Sequence, residues 1–298
     1  MTDLKNNEKY VIWHIEGGLG KNVAATALVK DLKLKYSDRK LIIVATFPDI
    51  FLNNPFIDKV YRVGSTPYFF PTYIKDKDTI IFRQEPYFEE GHIKQEQHLI
   101  KSWCDILGLK FNNQKPHIVV NYSQSKFVEM WLRERPIMVL HTSGGPIDNK
   151  NQSYCWTRDI PIEVANNIVN KFANQYHIIH VTRPDGYHLN GVERIDCPFN
   201  RFQLFSLVGV AEKRVLIDSC LQHAAATFNK PSTVLWIGTS PKQFGYNIHK
   251  NIVANKPKHA SQLVDSYLFD YRFQDNDFEC PYNSPDEMFD MGQVLNSI

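Results

Sequence analysis

No two cysteines of this chain are spaced to form a metal knuckle or a redox dithiol. The five, Cys104, Cys155, Cys197, Cys220 and Cys280, are odd in number, far apart and without a C-x-x-C. That argues against a zinc site and against a disulfide framework, and makes a reducing compartment the expectation. Long apolar runs are missing too, so no segment is expected to span a bilayer. The opening MTDLKNNEKY is polar and carries acids, unlike a signal peptide, and the expected location is the cytoplasm. Charge of one sign is equally scarce. Lys and Arg number 34 against 32 Asp and Glu, a net +2, which leaves no polybasic footprint for nucleic acid or a membrane surface. There is no low-complexity segment and no short-period repeat.

Two familiar nucleotide loops are absent as well. The stretch "VIWHIEGGLGKNVAATALVKDLKLKY" (11–36) reads as buried strand, glycine loop and helix, an arrangement that brings backbone N–H groups to an anion at a helix N-terminus. It is not a Walker A loop, because Gly20-Lys21 is followed by Asn22 and Ile15 stands where the first glycine belongs. The dinucleotide fingerprint begins at Gly18 and Gly20 but ends on Val23, which weakens a nicotinamide-dependent oxidoreductase.

What is present is an alternation of strands and helices over 298 residues, enough for two domains with their own cores. After the strand at 11–15, Ala25, Leu28, Val29, Leu32 and Tyr36 fall on one helix face. Further strands are expected at 40–46, 58–63 and 78–84, a helix over 91–108 ending at Gly108, and another over about 123–134. The pattern restarts with strand and glycine loop in "RPIMVLHTSGGP" (135–146), a helix from Pro161, and strands at 177–183, 192–197, 213–219 and 232–238. The reading is α/β, with two Rossmann-like halves of parallel sheet meeting near 133–137. The N-terminal domain would be 1–134 and the C-terminal domain 135–280. Residues 281–298 would form a helix returning to the N-terminal domain, with Ser284 as N-cap, Pro285 at N1, Glu287 completing a capping box, and a stripe of Met288, Met291, Leu295 and Ile298.

Open parallel sheets bind ligands beyond the carboxyl ends of their strands. The most informative window is "KRVLIDSCLQHAAATFNKPSTVLWIG" (213–238). Asp218 ends a strand and a helix starts near Cys220, its core face formed by Leu221, Ala224, Ala225 and Phe228. His223 lies about 200° round from Leu221 and is expected to point away from that core. Helix dipole, N–H groups and imidazole together suit a diphosphate.

"DSCLQHAAA" (218–226) resembles the D-[ST]-G-L-x-H-x-A-A segment of the ADP-heptose:lipopolysaccharide heptosyltransferases, glycosyltransferase family nine. "GGLGKNVAATALVKDLK" is similar to that family's S-L-G-D loop and first helix, and "NPFIDKVYRVG" (54–64) to its next turn and strand. The resemblance implies a GT-B architecture, two Rossmann-like domains facing a cleft, with acceptor in the N-terminal half and nucleotide-sugar donor in the C-terminal half. It implies a glycosyltransferase acting on a glycan or other hydroxyl acceptor, without a cofactor, by an inverting and metal-independent reaction. Carried over, Asp218, Ser219, Cys220 (in place of a glycine) and His223 are donor-site positions. "HTSGGPIDNKNQSYCWTRDIP" (141–161) takes the place of the family's phosphate-binding loop, with Ser143, Gly144 and Gly145 as the loop and Lys150 or Arg158 to meet the diphosphate. Arg183, after the next strand, has similar standing. Gly17, Gly18, Gly20, Lys21 and Asn22 would line the acceptor cleft.

One position departs from the family. An aspartate follows G-L-G there and serves as general base, whereas Lys21 is protonated at its ordinary pKa. Glu16, Asp49, Glu85 and His92 all stand near strand ends of the first half, and Glu16 is favoured because it directly precedes the glycines. "DND" at 275–277 has a metal-site spelling but follows no strand and is rejected. The lysine keeps open an alternative, a catalytically silent nucleotide-binding protein of the same fold.

Overall fold

The computed structural model describes residues 8–126, 128–129, 134–144, 156–196, 200–255 and 282–298. Cys155, Cys197, Cys280, Gly145, Lys150 and the 275–277 triplet lie outside the described residues. The chain divides into two compact units, residues 1–92 with 97–119, and residues 93–96 with 120–298. No helix among the described residues is long and apolar enough to cross a membrane.

In the first unit β1 (Lys9–Ile15) leads through the glycine loop into α1 (Leu19–Ala25), a single 3₁₀ turn and α2 (Val29–Lys35). The one helix expected here is thus interrupted. Thr26 is the cause, since its Oγ1 donates to the Val23 carbonyl at 2.6 Å and accepts the His117 N–H at 2.8 Å. The apolar face survives the break: Ala25, Leu28, Val29 and Leu32 are fully buried. Strands β2 (Lys40–Ala45), β3 (Lys59–Arg62) and β4 (Asp78–Phe82) complete an all-parallel sheet in the order β3-β2-β1-β4.

The helix expected over 91–108 is two helices, α3 (Glu90–Ile93) and α4 (Leu99–Leu107). His98 starts α4 by accepting the Ile100 N–H on Nδ1 at 3.1 Å. Gly108 ends it at φ +60°, where Leu109 N–H reaches back to the Cys104 carbonyl at 2.7 Å. Trp103 of α4 meets Trp13 of β1 edge to face, ring centres 5.7 Å apart, and both are buried.

The second unit begins with α5 (Tyr122–Lys126), the start of the helix expected over 123–134. Then come β5 (Ile137–His141), α6 (Ile162–Phe172), β6 (His177–Thr182), β7 (Glu193–Asp196), α7 (Arg201–Val210), β8 (Lys213–Ile217), α8 (Cys220–Thr227), β9 (Thr233–Trp236), α9 (Pro241–Phe244) and β10 (Lys250–Val253). Its six parallel strands run β10-β9-β8-β5-β6-β7.

The C-terminal segment forms α10 (Pro285–Met288) and α11 (Met291–Ser297). Ser284 is the N-cap and Pro285 the first helical residue, but Glu287 accepts the Asn283 N–H at 3.0 Å instead of closing a box on Ser284. Asp290 then caps α11 through the Gln293 N–H at 3.2 Å, which breaks the single helix in two. The expected return to the N-terminal domain is corrected. Met288, Phe289 and Val294 are buried in the second unit's own core beside Ala165, Ile168 and Ile252, and the Ser297 carbonyl accepts from Thr233 at 2.8 Å. Insertion of Phe289 shifts the buried stripe, so that Met291, Leu295 and Ile298 are only partly covered.

In each sheet the chain builds outward on one side of its first strand and then returns to the other. The switch falls between β1 and β4 in the first unit and between β5 and β8 in the second. Those are the places where a doubly wound sheet leaves a crevice beyond its strand ends.

Candidate functional site

At the first switch point β1 is followed by Glu16 and Gly17. Gly17 has φ +102°, a conformation that L side chains rarely adopt, and a Cβ there would meet Lys21 Cδ at 3.1 Å. Its lack of a side chain lets Lys21 fold back across the loop. Asn22 is completely buried and staples that loop, donating to the Gly18 carbonyl at 2.9 Å and accepting the Phe47 N–H at 3.3 Å. It is a framework residue here, not a lining one. Gly17→Ala is expected to lose about 1–3 kcal/mol in urea unfolding. Gly18→Ala is the control, since nothing lies within 4 Å of its added Cβ and its φ is an ordinary −67°; it should unfold close to the parent.

Lys21 is 7% exposed, and both carboxylate oxygens of Glu85 pair with its Nζ. The ammonium also lies 4.7 Å from the centre of the Tyr87 ring, which stacks on buried His92 at 5.1 Å. Burial pulls the Lys21 ammonium below the usual lysine range while the Glu85 charge opposes that shift. A cavity of about 150 Å³ opens here, lined by His14, Glu16, Lys21, Arg83, Glu85 and Trp103 among others. Glu16 is exposed and stands 3.3 Å from the exposed Arg83 guanidinium. His92, weighed above as a base, is 0% exposed and burial lowers its pKa to about 4.

At the second switch point the ends of β5 and β8 are tied together. Ser219 caps α8, accepting the Leu221 N–H at 3.2 Å, and its Oγ lies 3.1 Å from His141 Nδ1 at the end of β5. Asp218 precedes it. Desolvation raises the Asp218 carboxyl above the usual range, and the nearby Arg158 charge works against that rise. Arg158 passes over Gly144, where a Cβ would stand 2.6 Å from Arg158 Cδ. Arg158 thus stands at this crevice, while Lys150, the other cation offered for a diphosphate, lies outside the described residues.

Arg183 does something else. Its guanidinium makes two bonds to Asp159, 2.7 and 3.1 Å, and a third to the Gly144 carbonyl at 3.0 Å, while Asp159 Oδ1 accepts the Gly144 N–H at 3.0 Å. Ser143 Oγ accepts the Arg183 N–H at 2.8 Å and lies 2.9 Å from Thr182 Oγ1. Arg183 and Ser143 thus shape the loop after β5 from beneath. His223 is 4% exposed, with Nδ1 at 2.7 Å from the Tyr246 hydroxyl, because the segment after α9 folds over this side of α8. Gln222 anchors that segment, its side-chain amide donating to the Phe244 carbonyl at 2.9 Å and its main-chain carbonyl accepting from His249 Nε2 at 3.0 Å. Cys220 opens α8 and is half-exposed. His141, Asp159 and Tyr246 were missed in the sequence. His141 ends a buried strand and was open to the strand-end rule; the other two carry no local signal.

The overall fold has solved counterparts. A glycosyltransferase of family nine from Veillonella parvula superposes with a TM-score of 0.67 at 13% identity, covering 99% of this chain and 97% of that one. The fold is that of family-nine glycosyltransferases. The ADP-heptose lipopolysaccharide heptosyltransferase II of Escherichia coli gives 0.61 at 10% identity, covering 90% of this chain and 100% of its own. The dodecameric iron-containing glycosyltransferase TibC of enterotoxigenic E. coli gives 0.65 at 15%, covering 98% and 76%. No family model matches the sequence, and no curated protein matches it either. Among the described residues no group of three or more His, Cys, Asp or Glu side chains is placed to hold a metal ion.

Proposed function

We propose that this chain is a glycosyltransferase that moves a sugar from a nucleoside-diphosphate sugar to a hydroxyl acceptor such as a glycan. The second unit would bind the donor and the first unit the acceptor. The observation that carries the reading is the second switch point in a fold of this kind. Asp218, capped helix α8 and Arg158 converge there on the loop shaped by Ser143 and Gly144. A helix N-terminus with its dipole, together with a guanidinium, stabilises the negative charge that grows on a leaving diphosphate. The E. coli relative of the same fold is an ADP-heptose enzyme, which makes an adenine nucleotide the first donor to test.

A single in-line displacement by the acceptor oxygen would invert the anomeric centre. With α8 and Arg158 meeting the diphosphate, we expect turnover to survive a chelator. Donor binding is tested by thermal shift with ADP, UDP, GDP, CMP and NAD. A ligand at a hundredfold its Kd adds about 2.7 kcal/mol to stability, a clear rise in Tm. One nucleoside diphosphate should stabilise the protein, and both Asp218→Asn and Arg158→Met should weaken that response. A response to NAD alone, or to no nucleotide, would sink the reading. Binding without any sugar transfer or donor hydrolysis would leave the silent nucleotide-binding protein in its place.

A further inference from the structure

We propose that Glu85 is the general base of the transfer and that Lys21 positions it. This rests on the transferase reading above and names the residue that would take the acceptor's proton.

Three observations support it. Lys21 stands in the first turn of α1, just past the glycine loop that follows β1, and Glu85 lies just beyond β4, the strand across the switch point, so their pairing joins the two sides of the crevice. The Glu85 side chain is held at two places, by the Lys21 ammonium on both oxygens and by the Tyr87 N–H on Oε1 at 3.4 Å. Its side chain remains 30% exposed where the Lys21 side chain is 5% exposed, and it lines the 150 Å³ cavity. A carboxylate oxygen has two lone-pair directions, so each oxygen retains acceptor capacity beside its bond to the ammonium.

Glu16 lines the same cavity but is held differently. Its side chain is 46% exposed and its partner Arg83 is 72% exposed, at 3.3 Å. Such a surface pair fixes geometry weakly, and general-base efficiency depends on a group held within hydrogen-bond reach of its proton. The other charged or titratable groups around Glu85 are His14 and Arg83 on the cavity wall and His92 behind Tyr87.

The step balances without a redox partner. The acceptor hydroxyl gives its proton to a Glu85 oxygen as its own oxygen bonds to the anomeric carbon. The bond from that carbon to the diphosphate oxygen breaks, and the electron pair leaves on the diphosphate.

The test uses the full chain, a panel of ADP-, UDP- and GDP-sugars with water as acceptor, and nucleoside diphosphate release as the signal. Glu85→Gln should lower kcat by about 100-fold or more and leave the donor KM within about twofold, with Glu85→Asp recovering part of the rate. Because Glu85→Gln also strands a buried ammonium, the deciding variant is Lys21→Met/Glu85→Gln. If Glu85 is the base, this double variant stays as slow as the single one while its nucleotide thermal shift persists. Recovery of the parental rate in the double variant would show that Glu85 merely neutralises Lys21, and would overturn the proposal. So would an unchanged rate in Glu85→Gln, or a larger loss in Glu16→Gln. A parent protein that releases no diphosphate from any donor would instead overturn the transferase reading itself.

Discussion

Arg183→Met is expected to destabilise the second unit by about 3–5 kcal/mol, the largest effect of any single substitution considered. Arg183 is 7% exposed and Asp159 1% exposed, and removing the guanidinium takes from an interior carboxylate the partner of two of its hydrogen bonds. Losing one partner of a buried pair is far worse than losing both, since the surviving charge has already been stripped of water. Arg183→Met/Asp159→Leu should therefore recover much of the loss, and urea unfolding of the two single variants and the double one closes the cycle. Equal stability of Arg183→Met and the parent would mean that the loop after β5 does not depend on this pair. A donor-site role for Arg183 predicts the reverse pattern, with nucleotide affinity lost and stability kept.

Acid should unfold this protein earlier than its carboxylates alone would require. Burial pushes His92 in the first unit down to about 4 and His141 in the second to about 3, from an ordinary value near 6.5. Both shifts have the same sign. Above pH 6.5 each ring is neutral whether folded or not. As pH falls below 6.5 the unfolded chain takes up a proton that the folded chain refuses, and stability is lost until the folded value is reached. Each ring then contributes a slope of about 1.4 kcal/mol per pH unit, or roughly 2 kcal/mol between pH 6.5 and 5. His92→Phe retains the stack on Tyr87 and removes the proton site, so the Tm of this variant should fall less steeply over that range. An identical slope in the variant and the parent would remove His92 from the account.

Much of the fold was legible because its signals are local. A strand buried on both faces is a continuous apolar run, as in β2, "KLIIVA", and a helix lying on such a sheet repeats its apolar residues every three or four, as in α6. β10 and α7 escaped for opposite reasons. The strand is four residues long at a sheet edge with only Ile252 buried, while "RFQLFSLVGV" is apolar nearly all round and shows little helical period. Helix breaks were invisible where long-range partners caused them. Thr26 ends α1 with the help of a backbone group 91 residues away, and no window of sequence contains both.

The candidate site divides along the same line. From the sequence alone came the strand ends at which each sheet switches direction, the loop after β1 in the first unit and the loop after β5 and the β8–α8 junction in the second, because strand ends and helix starts are written locally and each doubly wound sheet gathers its own at one edge. Which side chains face a crevice and which hold it together was decided by tertiary structure. Arg183 and Arg158 look alike in sequence, yet one is bound to buried Asp159 and the other lies beside Asp218. Glu16 stands nearest the glycines, but Glu85, 64 residues from Lys21, receives the lysine's charge. The physical reason is that a charge inside a protein must find its counter-charge wherever the packed chain brings one, and sequence distance carries no record of that choice.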